Sequence, residues 1–226
     1  MNIQQAVDTL NFWISKERGS YYTIQEAVDA IHNGSIAHYN DLKTIYATSQ
    51  LVKDQLAPFK RKYSFTPTDT ISGYIVIPSN SEYSDLLDVQ IQYNISNRTI
   101  FYDVAMVNED ARVAKLNSQV DPVSITSPVG EMGVPRYIQL YPVAGYTGTV
   151  SYLKSPTKPV YAYTLVSGRV IVYDSVNSVQ LEWREADMTQ VLLKALRSIG
   201  INLSDDNIQT FAQSATIQNA QNINHL

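Results

Sequence analysis

The chain has 226 residues, no cysteine, 17% charged residues and a formal net charge of −4. That length suits one large domain or two small ones, and the missing thiols exclude disulfide frameworks, zinc ribbons and thiol catalysis. An acidic balance argues against nucleic-acid binding as the main activity, because such binding leaves a basic footprint, and 44% apolar residues argue against a disordered chain.

The N-terminal stretch carries Asp8 and has no basic leader region or cleavage motif, so it does not read as a signal peptide. Within it Ile3, Val7, Leu10 and Trp13 or Ile14 recur at helical spacing, and Gly19 follows as a C-cap. Thr23 and Glu26 form a capping box that opens a second helix carrying Ile24, Val28, Ile31, Tyr39, Leu42 and Ile45 or Tyr46. Asn33-Gly34 could break it, but a glycine costs only about 1 kcal/mol in a helix, so one long helix is expected. A short helical piece from Leu51 to Leu56 should stop before Pro58.

After that the pattern turns to period two. Leu87, Val89, Ile91, Tyr93 and Ile95 alternate with Asp88, Gln90, Gln92 and Asn94, which predicts a strand with one buried and one wet face. Further strands are expected at Tyr74 to Ile77, Thr99 to Val104, Tyr137 to Tyr141, Thr149 to Leu153, Tyr161 to Val166, Val170 to Tyr173 and Val179 to Trp183, with a short helix over Asn108 to Asn117. Met188, Val191, Leu192, Ala195, Leu196 and Ile199 then keep a helical stripe that Gly200 closes. Ser204 caps a last helix whose first turn holds Asp205 and Asp206.

The fold class expected is α+β, with N-terminal helices and a C-terminal helix packed together and a central antiparallel β region. The expected divisions are a helical region at 1–62, a β-rich region at 63–183, a helix at 184–203 packing on the N-terminal helices, and a partner-docking tail helix at 204–226.

The residues that carry chemistry offer little. His32 and His38 are six apart, which does not place them on one helical face as i, i+4 metal ligands would be, and His225 lies near the end of the chain. The close carboxylates Asp85 and Asp88, Glu109 and Asp110, Glu182 and Glu185, and Asp205 and Asp206 each read as strand edge, turn or helix cap. Gly130-Glu131-Met132-Gly133 has the outline of a GxxG loop but offers an acid where a nucleic-acid backbone needs a base. Lys60-Arg61-Lys62 is a lone basic run and reads as a solvated segment. No enzyme, cofactor or metal site is expected, and no apolar run approaches the roughly 20 residues of a membrane span. The 16 tyrosines, among them Tyr93, Tyr141, Tyr152, Tyr161, Tyr163 and Tyr173, read as core or interface packing.

From Asn207 to Leu226 no Asp, Glu, Lys or Arg occurs, yet Ile208, Phe211, Ala212, Ala215 and Ile223 make a thin apolar stripe. A free surface helix carries charge, so this segment is expected to dock on a partner.

Several ordered motifs carry a resemblance. They are Gly19-Ser20-Tyr21-Tyr22-Thr23-Ile24-Gln25-Glu26, Leu56-Ala57-Pro58-Phe59-Lys60, Ile138-Gln139-Leu140-Tyr141-Pro142, Ser151-Tyr152-Leu153-Lys154-Ser155-Pro156 with Pro159, Val179-Gln180-Leu181-Glu182-Trp183-Arg184-Glu185, and Ile199-Gly200-Ile201-Asn202-Leu203. In that order they resemble virion structural proteins of tailed phages of Bacteroidetes hosts, the crAss-like phages among them. The resemblance implies a homo-oligomeric ring of twelve copies, a head–tail connector below the portal, in contact with portal and other neck or tail proteins. It implies at most non-specific contact with DNA in the channel, a place in the virion neck after assembly in the host cytoplasm, and no catalytic residues. Val160 stands before Tyr161 where the family often has an aromatic after the second proline of the Ser151–Pro156 motif. The alternatives are a tail-tube or tail-decoration protein, or a carbohydrate-binding adhesin using the tyrosine-rich sheet.

Overall fold

A computed structural model describes residues 1–18, 22–66, 73–76, 83–95, 98–133, 137–166 and 170–199. In chain order the elements are α1 (Ile3–Arg18), α2 (Ile24–Thr44), α3 (Gln50–Gln55), a 3-10 turn (Ala57–Phe59), β1 (Lys60–Phe65), β2 (Tyr74–Val76), β3 (Tyr83–Ile95), β4 (Arg98–Asp103) and β5 (Ala105–Met106). They continue with α4 (Glu109–Leu116), β6 (Val129–Gly133), β7 (Tyr137–Tyr141), β8 (Thr147–Lys154), β9 (Tyr163–Val166), β10 (Val170–Tyr173) and α5 (Glu185–Ser198). The class is α+β, as the two hydrophobic periods require.

The chain divides into two compact units: residues 60–154, and residues 1–59 together with the chain after 154. The division read from the sequence puts 63–183 in one β-rich region, whereas the described residues between 155 and 199 belong with the helices. The reason is local bonding. Gln180 accepts from the Ile3 amide at 2.9 Å, Glu182 accepts from the Thr157 amide at 3.2 Å, and Lys158 pairs with Asp29 of α2 at 2.6 Å.

In the helical unit, Thr23 and Glu26 make the reciprocal capping box that starts α2. The helix runs unbroken through Asn33-Gly34 because Gly34 is where α5 crosses it. A Cβ there would sit 2.4 Å from the Val191 carbonyl oxygen and 2.6 Å from the Ala195 nitrogen. Glycine therefore sets how closely the two helices approach. The stripe Ile3, Val7, Leu10 and Ile14 of α1 is buried, which resolves the choice between Trp13 and Ile14 in favour of Ile14. On α5, Met188, Val191, Leu192, Ala195 and Leu196 are buried.

Trp183 completes this core. Its Nε1 donates to Ser35 Oγ at 2.6 Å, and its ring lies 4.6 Å from Phe59 and 4.8 Å from His38. The strand expected over Val179 to Trp183 does not form: among the described residues Val179 makes an isolated bridge to Val160, and the chain then leads Trp183 inward. The period-two spacing of Val179, Leu181 and Trp183 arises there without a sheet ladder.

Among the described residues the second unit holds two four-stranded sheets, in the orders β1-β8-β3-β4 and β2-β7-β6-β5. One core joins them, with Phe65, Val89, Ile91 and Val150 from the first sheet and Ile75, Ile138 and Leu140 from the second. Pairing is antiparallel except between β5 and β6, which run parallel. Register shifts in β3 between Tyr83 and Asp85 and between Leu86 and Asp88 interrupt the expected alternation. They bring Leu86 against the core, whereas the sequence pattern points to Leu87. Gly130–Gly133 belongs to strand β6, and a Cβ on Gly130 would meet Met106 Sδ at 2.8 Å.

Candidate functional site

The residues expected to contact a partner, Ile208, Phe211, Ala212, Ala215 and Ile223, lie outside the described residues, as do His225, Asp205 and Asp206. The remaining chemical candidates do not converge. His38 is buried beside Trp183, and burial, with the Lys194 charge behind it and Asp41 opposing, lowers its pKa to about 4. His32 also titrates below its ordinary value, through burial first and then the Lys158 charge. Glu109 and Asp110 occupy the first turn of α4, and Glu182 is bonded to the Thr157 amide. Asp88 is raised from its ordinary value by burial and then by Asp103. Among the described residues no three His, Cys, Asp or Glu side chains group as metal ligands, and no helix is long and apolar enough to cross a membrane.

The surface that stands out is the β9–β10 ribbon. Among the described residues its strands pair only with each other, Tyr163 opposite Tyr173, Thr164 opposite Val172, Leu165 opposite Ile171 and Val166 opposite Val170. Directly opposed residues share a face. One face therefore carries Tyr163, Leu165, Ile171 and Tyr173, and the other Thr164, Val166, Val170 and Val172. Both faces are apolar and, beyond Tyr173 at the foot, exposed: six of the seven large residues, Tyr163, Leu165, Val166, Val170, Ile171 and Val172, are 44–58% exposed. An ordinary half-buried strand alternates apolar with polar, and a strand apolar on both faces is ordinarily covered on both.

The base of the ribbon is firmly built. Val160 and Val179 exchange backbone hydrogen bonds at 3.1 and 2.9 Å, and the Asp174 amide donates to the Ala162 carbonyl at 2.9 Å. Asp174 Oδ1 accepts from the amides of Val176 and Asn177. Hydrogen bonds from the Asn177 side chain and then its backbone hold that carboxyl below its usual range. Tyr161 packs on Tyr173 at 5.0 Å and on Tyr163 at 6.3 Å, and Gln180 donates to the Tyr173 hydroxyl at 2.8 Å. The foot is fixed to the helical unit while the strands carry uncovered apolar side chains.

Pattern reasoning found both strands but assigned them to the central β region. The available signal was Tyr-Thr-Leu-Val and Val-Ile-Val-Tyr, two short runs without polar alternation. Such runs announce a strand covered on both sides, whereas in the structure their large side chains are exposed. Of the tyrosines, Tyr152 is buried in the sheet core, Tyr93 and Tyr163 are exposed, and Tyr141 accepts a hydrogen bond from Arg112 at 2.8 Å. Set against known proteins, the chain matches no protein-family model and no curated protein.

Proposed function

We propose that the chain is an architectural subunit that works by assembling with copies of itself and with neighbours, and that it is not an enzyme. The observation that carries this reading is the β9–β10 ribbon, apolar on both faces and exposed on both. An isolated two-stranded ribbon is marginal in water, and an uncovered apolar edge invites pairing with another chain.

Within that reading, the ordered sequence motifs support a specific assignment. The chain is a head–tail connector ring of a tailed phage, twelve copies placed in the virion neck between portal and tail and surrounding the DNA channel. The residues 207–226 with Ile208 and Phe211 serve as a second contact, toward a neighbour or the next ring. Contact with DNA is weak and independent of sequence, since a net charge of −4 supplies little counterion release.

Mass photometry and electron microscopy of the purified chain, alone and mixed with the portal, test the assignment. A closed ring of uniform size is expected, and a chain that stays monomeric in both preparations overturns it.

A further inference from the structure

Resting on the assembly reading, we infer that the ribbon docks on a second copy of this chain by strand addition to the open edge of β4. The argument begins with the ribbon's chemistry. Tyr163–Val166 and Val170–Tyr173 contain no charged residue, so nothing in them recognises phosphate or an acidic surface. With apolar side chains on both faces and, among the described residues, no strand paired to either outer edge, the complement is another strand edge with apolar flanks.

The same chain offers such an edge. The end strands of its two sheets are β1, β4, β2 and β5. Strand β1 presents exposed Lys60, Arg61 and Lys62, the kind of charged row that keeps an edge from pairing. Strands β2 and β5 are three and two residues long. Strand β4 has six residues, and the four between Arg98 and Asp103 (Thr99, Ile100, Phe101 and Tyr102) are uncharged. They match in length and in lack of charge the four-residue strands of the ribbon. Phe101 is 60% exposed, the most exposed large apolar residue of its strand.

The backbone is set for this. The Val104 amide donates to the Val89 carbonyl at 2.8 Å, and in an antiparallel pair the bonded positions recur every second residue. Tyr102 and Ile100 therefore point their amides at β3, whereas Phe101 and Thr99 point theirs to the open side.

A ribbon on one copy and a β4 edge on the next make a heterologous contact, the kind that closes into a ring or continues as a filament. Two copies of either surface do not satisfy one another in this arrangement, which the test exploits.

The experiment uses the full chain and two variants. Leu165→Lys with Ile171→Glu places an opposed charge pair on the ribbon at no change in net charge. Phe101→Pro removes the outward donor and the ring from β4, leaving the ladder to β3 intact. Phe101→Lys stands in if thermal unfolding shows that the proline variant does not fold.

Wild type is expected to form oligomers by mass photometry, and each folded variant alone to be monomeric. Their equimolar mixture is expected to give a one-to-one dimer, because one intact ribbon and one intact edge remain. Phe101→Val, which keeps an apolar β-former and the amide, should assemble. A β4 variant that assembles as wild type does, or a mixture that stays monomeric, overturns this contact and leaves the ring assignment standing. A wild-type chain monomeric at every concentration reached overturns this contact too, and the portal mixture then decides the assignment separately.

Discussion

Helix α5 and the β9–β10 ribbon belong to one compact unit and are both rich in large aliphatic side chains, yet they use them in opposite ways. On α5 the apolar residues recur at helical spacing, so one face takes nearly all of them, and α2 covers that face closely enough to require glycine at position 34. In β9 and β10 every position is apolar or threonine, so no single face can take them all. A one-sided stripe is satisfied by one neighbour within the chain. A two-sided ribbon needs two, and the described residues supply neither. Hydrophobic content alone is therefore a poor guide to what is core, and its angular distribution separates the part that stabilises the unit from the part that waits for a partner.

The largest effect should come from the core side of that comparison. Trp183→Ala removes a ring packed against Phe59 and His38 and leaves the Ser35 hydroxyl without its bond inside the unit. Large-to-small changes at buried aromatics cost about 3–5 kcal/mol. Urea unfolding followed by far-ultraviolet circular dichroism should show the midpoint fall accordingly. A loss under about 1 kcal/mol would mean that Trp183 is not a core element.

A somewhat smaller effect is expected from acid. An unfolded chain protonates its histidines near 6.5, but burial keeps His38 neutral in the fold down to about 4. Between those values the unfolded state binds the extra proton. The stabilisation is therefore complete above about 6.5 and is lost as the pH falls toward 4, amounting to about 3 kcal/mol at the bottom of the window. His32, also lowered, acts in the same sense, whereas Asp187, raised by burial, acts in the opposite one. The clean measurement is the difference in stability between wild type and His38→Gln as a function of pH. It should slope between pH 6.5 and 4 and flatten outside; a difference constant across that range would contradict the assignment.

Much of this was legible beforehand, and the failures are instructive. The capping box at Thr23 and Glu26, the stripe of α5 and the helix at Glu109–Leu116 with its Asn108 cap follow from short-range rules, and the structure agrees with them. The bulges of β3 do not, because two alternating patterns one residue apart, through Leu86 or through Leu87, look alike until the partner strand β8 sets the register. Strand β1 was hidden by Lys60-Arg61-Lys62, which reads as a solvated run and is solvated, on the open edge of a sheet. The glycines of β6 suggested a loop; Gly130 is small because Met106 and Val104 close over it. The ribbon was legible as two strands and illegible as a surface, since exposure depends on what the rest of the chain fails to cover. The segment at 207–226 lies outside the described residues, so the structure neither adds to nor alters its reading.

The smallest effect is expected on the ribbon, and it sharpens the comparison most. Replacing Leu165 by Lys and Ile171 by Glu should change the unfolding free energy of the isolated monomer by no more than about 0.5 kcal/mol, the range for surface substitutions. The two residues already meet water over half their area, so little apolar surface is lost from a buried state. They are directly opposed across the strands, so the introduced charges attract and offset the lower strand preference. The foot of the ribbon, held by the Val160–Val179 bonds and the Asp174 turn, is untouched. Thermal unfolding in dilute solution, where association is absent, is the measurement. If the melting temperature falls by as much as it does for Trp183→Ala, the ribbon is covered in solution and belongs to the core of its own unit. If it holds while solubility rises, the ribbon's apolar side chains contribute nothing to the monomer, and their stabilisation is reserved for a contact that the monomer does not make.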